Sequence, residues 1–386
     1  MNDPSLCPLL QVDLDAIAAN TRQLSALTTA GLLAVVKADA FGHGVTEVAR
    51  TALDHGAVFL GTATLQEALA VRGSGIDAPL LCWLTGPFTD FGPAVRARVD
   101  VAAPTVRHLD AVAAAARATG RRARVHLHAD VGMARDGAPA ELWGVLCRHA
   151  ARLERAGLIE TAGVMGHLGC ADDPADPHTG DGLTRFRRAV AQARRAGLRP
   201  VYRHLAATAA LMTSPDTHQN LVRIGAGLYG IGPSGTDVPL RPATTLTAPV
   251  TTVRDVPART PVGYHHGHIT DRPTRLALLP LGYGDGLPRA AQGRAQVLVR
   301  GRLRPVVGEF SMDQIVVDVG DAGVEPGESV TLLGPGRRGE PTLGHWAAWA
   351  RTLPHEICTA LGRAARIERR HLPAQARPAH HLEIPA

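Results

Sequence analysis

Short apolar runs alternate with helix-like segments across residues 32–224, and this alternation restricts the fold more than any other feature. The runs are Leu32–Val36, Ala57–Gly61, Pro79–Leu84, Val99–Ala102, Arg124–Ala129, Ala162–His167, Val201–Leu205 and Leu221–Ile224. Each is too short for a buried helix and reads as a strand buried on both faces. Helical patterns fall between them near 45–55, 64–72, 105–119, 140–157 and 180–196. Thr64-Leu-Gln-Glu67 is a capping box that opens one of these, and Asp13 or Asp15 can cap an earlier helix running to about Leu27. Strand followed by helix, repeated eight times, is the pattern of a (β/α)8 TIM-type barrel. A doubly wound sheet is the competing α/β arrangement, but it more often has about five or six strands.

The texture changes near Pro233-Ser-Gly235. Runs without intervening helices follow at Thr244–Val253, Arg275–Leu281, Ala295–Val299, Gln314–Val319 and Ser329–Leu333, with short helices near 344–352 and 355–365. The expectation is an α/β chain with a barrel over residues 1–238, a C-terminal mostly-β domain over 239–372 and a polar tail over 373–386.

Charge and cysteine usage exclude several functions. The net charge is +6, but the basic residues are scattered as pairs, such as Arg121-Arg122, Arg187-Arg188, Arg194-Arg195 and Arg369-Arg370, read as polar helix faces. No basic run is interleaved with aromatics, so a nucleic-acid partner is not expected, whereas a small anionic ligand suits the charge. The five cysteines, at 7, 82, 147, 170 and 358, show no CxxC spacing, which argues against a disulfide framework or a structural metal site. Met1 to Leu14 has no basic leader and no apolar run reaches membrane-spanning length, so a cytoplasmic protein is expected.

In a (β/α)8 barrel, chemistry belongs at the carboxyl ends of the strands. Lys37 follows the first barrel run directly, before Gly42-His43-Gly44 turns the chain toward a helix starting near Val45. Arg135, His167, His204, Thr208 and Arg223 fall at other strand ends. Gly225-Ala-Gly227-Leu-Tyr-Gly230 matches GxGxxG, but Pro233, Pro239 and Pro242 follow where a dinucleotide site needs a helix. A glycine turn at a late barrel strand is instead suited to a phosphate. A lysine able to condense with an aldehyde, next to a phosphate cradle, suggests pyridoxal phosphate.

At these positions the chain resembles the alanine racemase family of fold-type III pyridoxal-phosphate enzymes. The resemblance is carried by Ala34-Val-Val-Lys37-Ala-Asp-Ala-Phe-Gly-His-Gly44, Val125-His-Leu-His-Ala-Asp-Val-Gly-Met-Ala-Arg135, Gly166-His167, His204-Leu-Ala-Ala-Thr208 and Asn220-Leu-Val-Arg223-Ile-Gly-Ala-Gly-Leu-Tyr-Gly230. It continues in Val262-Gly-Tyr264, Leu281-Gly-Tyr283-Gly-Asp-Gly286 and Ser311-Met-Asp-Gln314. It implies a homodimer with shared active sites, in which Lys37 holds the cofactor and serves as one base, and Tyr264 of the partner subunit is the opposite base. It further implies that Arg223 faces the pyridine nitrogen, that Thr208 with the Gly225 and Ala226 N–H groups holds the phosphate, and that Arg135 and the partner's Met312 meet the substrate carboxylate. His167, with Arg223, is expected to supply positive charge favouring the tyrosine phenolate, and His204 to belong to the cofactor pocket.

Several positions depart from the family pattern. Phe41 and His355 replace tyrosines that reach the phosphate, and both are still assigned to the cofactor site. Two missing hydroxyl donors would cost about 1 kcal/mol each unless His355 compensates. His128 replaces a lysine, often carbamylated, that positions the arginine at 135, so a bound anion or a direct contact must do so here. Ala207 replaces a commoner asparagine, Glu309 a doorway arginine, and Arg289 is retained. The expected reaction is L- to D-alanine interconversion, with racemisation or epimerisation of a larger or differently charged amino acid as the alternative. Related decarboxylases place a carboxylate where Arg223 stands, and single-domain cofactor carriers lack the domain bearing Tyr264.

Overall fold

The computed structural model describes residues 7–173, 175–233 and 235–374. They form two compact units. One comprises Ile17–Ala40 and Val45–Leu240; the other comprises the described segment up to Ala16, Phe41–Gly44 and the described segment from Arg241.

The first unit is an eight-stranded parallel sheet of Gly31–Val35, Ala57–Thr62, Leu80–Cys82, Asp100–Ala103, Ala123–His128, Ile159–Met165, Tyr202–His204 and Leu221–Ile224. Neighbours follow chain order, and the last strand pairs with the first. Between Tyr202–His204 and Leu221–Ile224 the sheet is joined by the Arg223 N–H donating to Ala206 O at 3.0 Å and by a bridge between Ala207 and Arg223. The result is a nearly closed (β/α)8 barrel. Most strand residues are apolar because helices cover one face and barrel side chains fill the other, the buried polar exceptions including Asp100, Thr161, His126, His128, His204 and Arg223.

Helices Val45–Asp54, Leu65–Gly73, Val106–Thr119, Ala140–Arg155 and His178–Arg195 occupy the segments anticipated. The Thr64–Glu67 capping box forms as read, and Asp13 Oδ1 accepts the Ala16 N–H at 2.9 Å at the head of Leu14–Ala26. Two short helices were not legible, Gly92–Arg96 and Thr208–Thr213. The second stops at Ser214 because Pro215 follows and cannot continue the N–H ladder.

The second unit holds a nine-stranded sheet. In spatial order its strands are Thr252–Val256, Thr274–Leu279, Ile315–Asp318, Arg302–Val307, Gln296–Val299, Ser329–Leu333, Thr244–Pro249, Leu9–Asp13 and Glu368–Leu372. All pairs are antiparallel except the last. The chain's first strand therefore lies outside the barrel, whereas the sequence had grouped it with residues 1–238. The run read as Thr244–Val253 is two strands at separate positions, Thr244–Pro249 and Thr252–Val256. Arg302–Val307 was missed because its polar half hides the period; it pairs with Gln296–Val299 through a two-residue turn, Arg300-Gly301, both at positive φ. Arg369 and Arg370 lie on the edge strand, not on a helix, and a charged edge discourages pairing with another sheet. Helices Leu343–Ala350 and Pro354–Gly362 complete the unit, with the buried Trp346 donating Nε1–H to Leu332 O at 2.7 Å. Residues 375–386 of the expected tail lie outside the described residues.

Candidate active site

Lys37 begins an unusual turn at the end of the first barrel strand. Ala38, Asp39, Ala40 and Phe41 have φ of 53°, 52°, 54° and 56°, followed by Gly42 at 84°. Four successive non-glycine residues thus occupy the left-handed region, at a cost of about 1–2 kcal/mol each. Local bonds offset part of it. Glu67 Oε1 accepts the Ala38 N–H at 2.7 Å, Val36 O accepts the Ala40 N–H at 2.9 Å, and Asp39 Oδ1 accepts the Val45 N–H at 2.8 Å. Strain of this kind persists where the surroundings over-determine it, characteristically at functional sites. Burial, then the nearby Arg135 charge, lowers the pKa of Lys37 below that of an ordinary lysine, against a smaller opposing effect of Glu67. More of its amine is thereby unprotonated near neutral pH and available as a nucleophile.

Arg223 is held on the barrel rim by several hydrogen bonds. It is buried, and its guanidinium donates to His204 O at 2.8 Å, Gly166 O at 2.7 Å and Leu205 O at 3.1 Å. It also faces His204 Nδ1 and His167 Nδ1, each at 3.1 Å. Burial, then Arg135, brings its pKa down to about 10, so it stays charged near neutral pH. His167 does not supply the positive charge expected of it: burial, followed by Arg223 and Arg135, pushes its pKa down to about 3. The ring is neutral, accepts from Arg223 at Nδ1 and carries its proton on Nε2. His204, fully buried, is held well below its ordinary range by burial and then by His126 and Arg223. Both its nitrogens are engaged within the protein, so it bears on the site through Arg223. Asp100 and His126, which the sequence did not single out, lie beneath it; the alternation of His126 and His128 along one strand was the available signal.

Thr208 opens its short helix and accepts the Gly225 and Gly227 N–H groups at 3.2 and 3.3 Å. Two accepted bonds occupy both hydroxyl lone pairs, leaving the O–H to donate outward. A Cβ on Gly227 would lie 2.9 Å from Thr208 Cγ2 and 2.8 Å from Leu24 Cδ1, so only glycine permits this approach. Hydroxyl donor, glycine turn with Ala226, buried guanidinium and low-pKa lysine together fit a phosphorylated pyridine aldehyde.

Arg135 sits on a loop ordered by Asp130, whose Oδ1 accepts the N–H groups of Gly132, Met133 and Ala134 at 2.9, 3.1 and 3.2 Å. The loop closes at Gly137, where φ is 107° and a Cβ would fall 2.5 Å from Asp130 N. His128 Nδ1 lies 3.4 Å from Asp136 Oδ2, so the residue in the lysine's place reaches the neighbour of Arg135 directly. Burial opposes the Asp136 charge, but His128 and the Gly137 N–H outweigh it and lower the carboxyl pKa.

In the second unit, Phe41 and His355 are neighbours, with ring centroids 5.9 Å apart. Tyr264 follows Gly263, at φ 74°, and is 64% exposed; Met312 is 61% exposed. The Met312 loop is pinned by Tyr283 N–H to Ser311 O at 3.1 Å and Gly284 N–H to Met312 O at 2.7 Å. Gly282 permits this, since a Cβ there would sit 2.1 Å from Ser311 O. Glu309 pairs with Arg289 at 2.6 Å and with His265 at 3.2 Å, so the reversed doorway charge is compensated within its own unit.

Known proteins resemble this chain over both units. The family model for the alanine racemase N-terminal domain matches residues 12–233, and that for the C-terminal domain matches 243–371. An alanine racemase of Frankia casuarinae is 46% identical over 377 residues, spanning 96% of this chain and 97% of its own. The crystal structure of alanine racemase from D-cycloserine-producing Streptomyces lavendulae is similar with a TM-score of 0.94 and 42% identity, over 97% of this chain and 99% of that one. That of the Bartonella henselae alanine racemase, which carries covalently bound pyridoxal phosphate, matches at a TM-score of 0.84 and 27% identity, over 95% and 99%. With both domains matched along nearly the whole length, the chain belongs to the alanine racemase family.

Proposed function

We propose that this chain racemises alanine with pyridoxal phosphate, using two bases contributed by two copies of itself. Full-length similarity to alanine racemases carries the reaction and the cofactor. The observation that carries the residue roles is the pairing of a strained, low-pKa Lys37 with a buried, donor-only Arg223 on one barrel rim. Lys37 would hold the cofactor covalently, Thr208 with the Gly225–Ala226 turn its phosphate, and Arg223 its ring nitrogen. Phe41 and His355 would line the phosphate end without the usual hydroxyls. When bound, the cofactor supplies an electron sink that acidifies the substrate Cα–H.

Inversion at Cα needs a proton taken from one face and returned on the other. Lys37 Nζ serves one face and Tyr264 Oη of the partner subunit the other. Arg223 keeps its proton at neutral pH, so it would donate to the ring nitrogen without protonating it, which would favour prompt return of the proton over side reactions. Neutral His167 presents Nε2–H without adding charge. Arg135 and the backbone N–H of the partner's Met312 bind the substrate carboxylate. The exposure of Tyr264 and Met312 on a single chain supports their use in a homodimer with shared sites. We place the reaction in the cytoplasm: all five cysteines are free, as in a reducing compartment, and among the described residues no helix is long and apolar enough to cross a membrane.

A panel of L-amino acids tested for racemisation by the purified holoenzyme checks this function. Alanine should turn over fastest; faster turnover of a larger or charged amino acid would contradict it and return attention to Phe41, His355 and Glu309.

A further inference from the structure

A line of hydrogen bonds runs through the barrel interior below Arg223. Asp100 Oδ2 lies 3.1 Å from His126 Nε2, His126 Nδ1 lies 2.8 Å from His204 Nε2, and His204 Nδ1 lies 3.1 Å from Arg223. Both rings are fully buried, and Asp100 and Arg223 nearly so. At the far end, Arg124 Nε reaches both Asp100 oxygens, at 3.0 and 3.3 Å, and its NH1 reaches Glu160 at 2.6 Å.

The chemistry of the two ends decides everything between them. A carboxylate only accepts and a guanidinium only donates, while a neutral imidazole does one of each. His126 must therefore donate from Nε2 to Asp100, which makes its Nδ1 an acceptor. His204 must then donate from Nε2 to His126, and its Nδ1 accepts from Arg223. A proton on His126 Nδ1 would oblige His204 to carry one on Nδ1, facing the guanidinium donor to donor. Double protonation of either ring is excluded by the same conflict.

We propose that Asp100 and His126 are positioning residues, which fix both histidines as Nε2–H tautomers and thereby hold the Arg223 guanidinium in one orientation. The ring of His126 is gripped for this role. It stacks on Tyr202, with centroids 5.7 Å apart and planes 8° off parallel, and meets the edge of Phe59 at 6.0 Å. Gly163 makes the space, since a Cβ there would fall 2.3 Å from His126 Nδ1. The direction of the line follows from geometry alone; its consequence for racemisation rests on the placement of Arg223 at the cofactor ring.

Long-range proton–nitrogen correlation NMR of histidine-labelled protein, without and with cofactor, tests the inference. Both His126 and His204 should appear as neutral Nε2–H tautomers from pH 6 to 9; an Nδ1–H or doubly protonated ring at either position would overturn it. In His126→Phe, His204 loses its acceptor, so its tautomer should become mixed and kcat should fall about tenfold with little change in KM, the scale on which removal of an orienting partner acts. His126→Asn keeps an acceptor near the Nδ1 position and should restore a single His204 tautomer and most of kcat. An unchanged His204 signal and kcat in His126→Phe would refute the positioning role. Correct tautomers in a wild-type protein that racemises no alanine would support the line and count instead against the proposed function.

Discussion

Single side chains here have roles set by what surrounds them more than by their type. His167 looks like a candidate cation in the sequence, yet burial and then Arg223 and Arg135 keep it neutral, and His204 is lowered in the same way by burial, His126 and Arg223. A histidine whose folded pKa is lowered binds its proton more readily when unfolded, so it adds stability above pH about 6.5 that is lost as pH falls toward the folded value. For His167 that window runs from about 6.5 down to about 3, and His204 acts in the same direction. Thermal melts between pH 7 and 4 should therefore show a shallower loss of stability in His167→Asn than in the wild type; parallel curves would mean that His167 protonates freely in the folded state. For the proposed bases, Lys37→Ala should abolish both the absorbance of covalently held cofactor and racemisation. Tyr264→Phe should keep that absorbance while losing about 10²–10⁴-fold in racemisation, the usual contribution of a positioned general base. Normal racemisation by Tyr264→Phe would remove tyrosine from the mechanism.

Elements differ in how far their sequence reveals them. The eight barrel strands were legible because burial on both faces leaves short, mostly apolar runs spaced by helical segments. The longer helices were legible from period and caps, Thr64–Glu67 most directly, while Gly92–Arg96 and Thr208–Thr213 were not. Arg302–Val307 was not, since arginines interrupt its pattern and the Arg300-Gly301 turn lacks the usual asparagine. The left-handed turn after Lys37 was hidden for a different reason: part of its support is tertiary, in Glu67, and three of its four residues have no local preference for positive φ. The sequence left open whether a bound anion or a direct contact of His128 positions Arg135; the structure places His128 Nδ1 3.4 Å from Asp136 Oδ2, on the loop that carries Arg135. That loop yields its own prediction. Gly137→Ala would force a Cβ against the Asp130 backbone at φ 107°, so it should cost about 1–3 kcal/mol of stability. It should also raise KM for alanine by displacing Arg135 while leaving cofactor binding intact. An unchanged KM would show that the Asp130 loop does not set the position of Arg135.

At the scale of the whole molecule, one copy carries Lys37 and Arg223 on its barrel, and Tyr264 and Met312 exposed on its second unit. The proposed sharing of these groups between copies is something that neither variant alone can test. Co-expressed Lys37→Ala and Tyr264→Phe chains assemble into mixed dimers in which one site receives both wild-type bases and the other neither. With random pairing of a two-fold dimer, half the dimers are mixed and half of their sites are intact, so activity should return to about a quarter of wild type. Racemisation of alanine by the mixture at that level, from two parents that are each nearly inactive, is the predicted result. A mixture no more active than its parents, despite mixed dimers demonstrated by mass spectrometry, would contradict the shared two-base site.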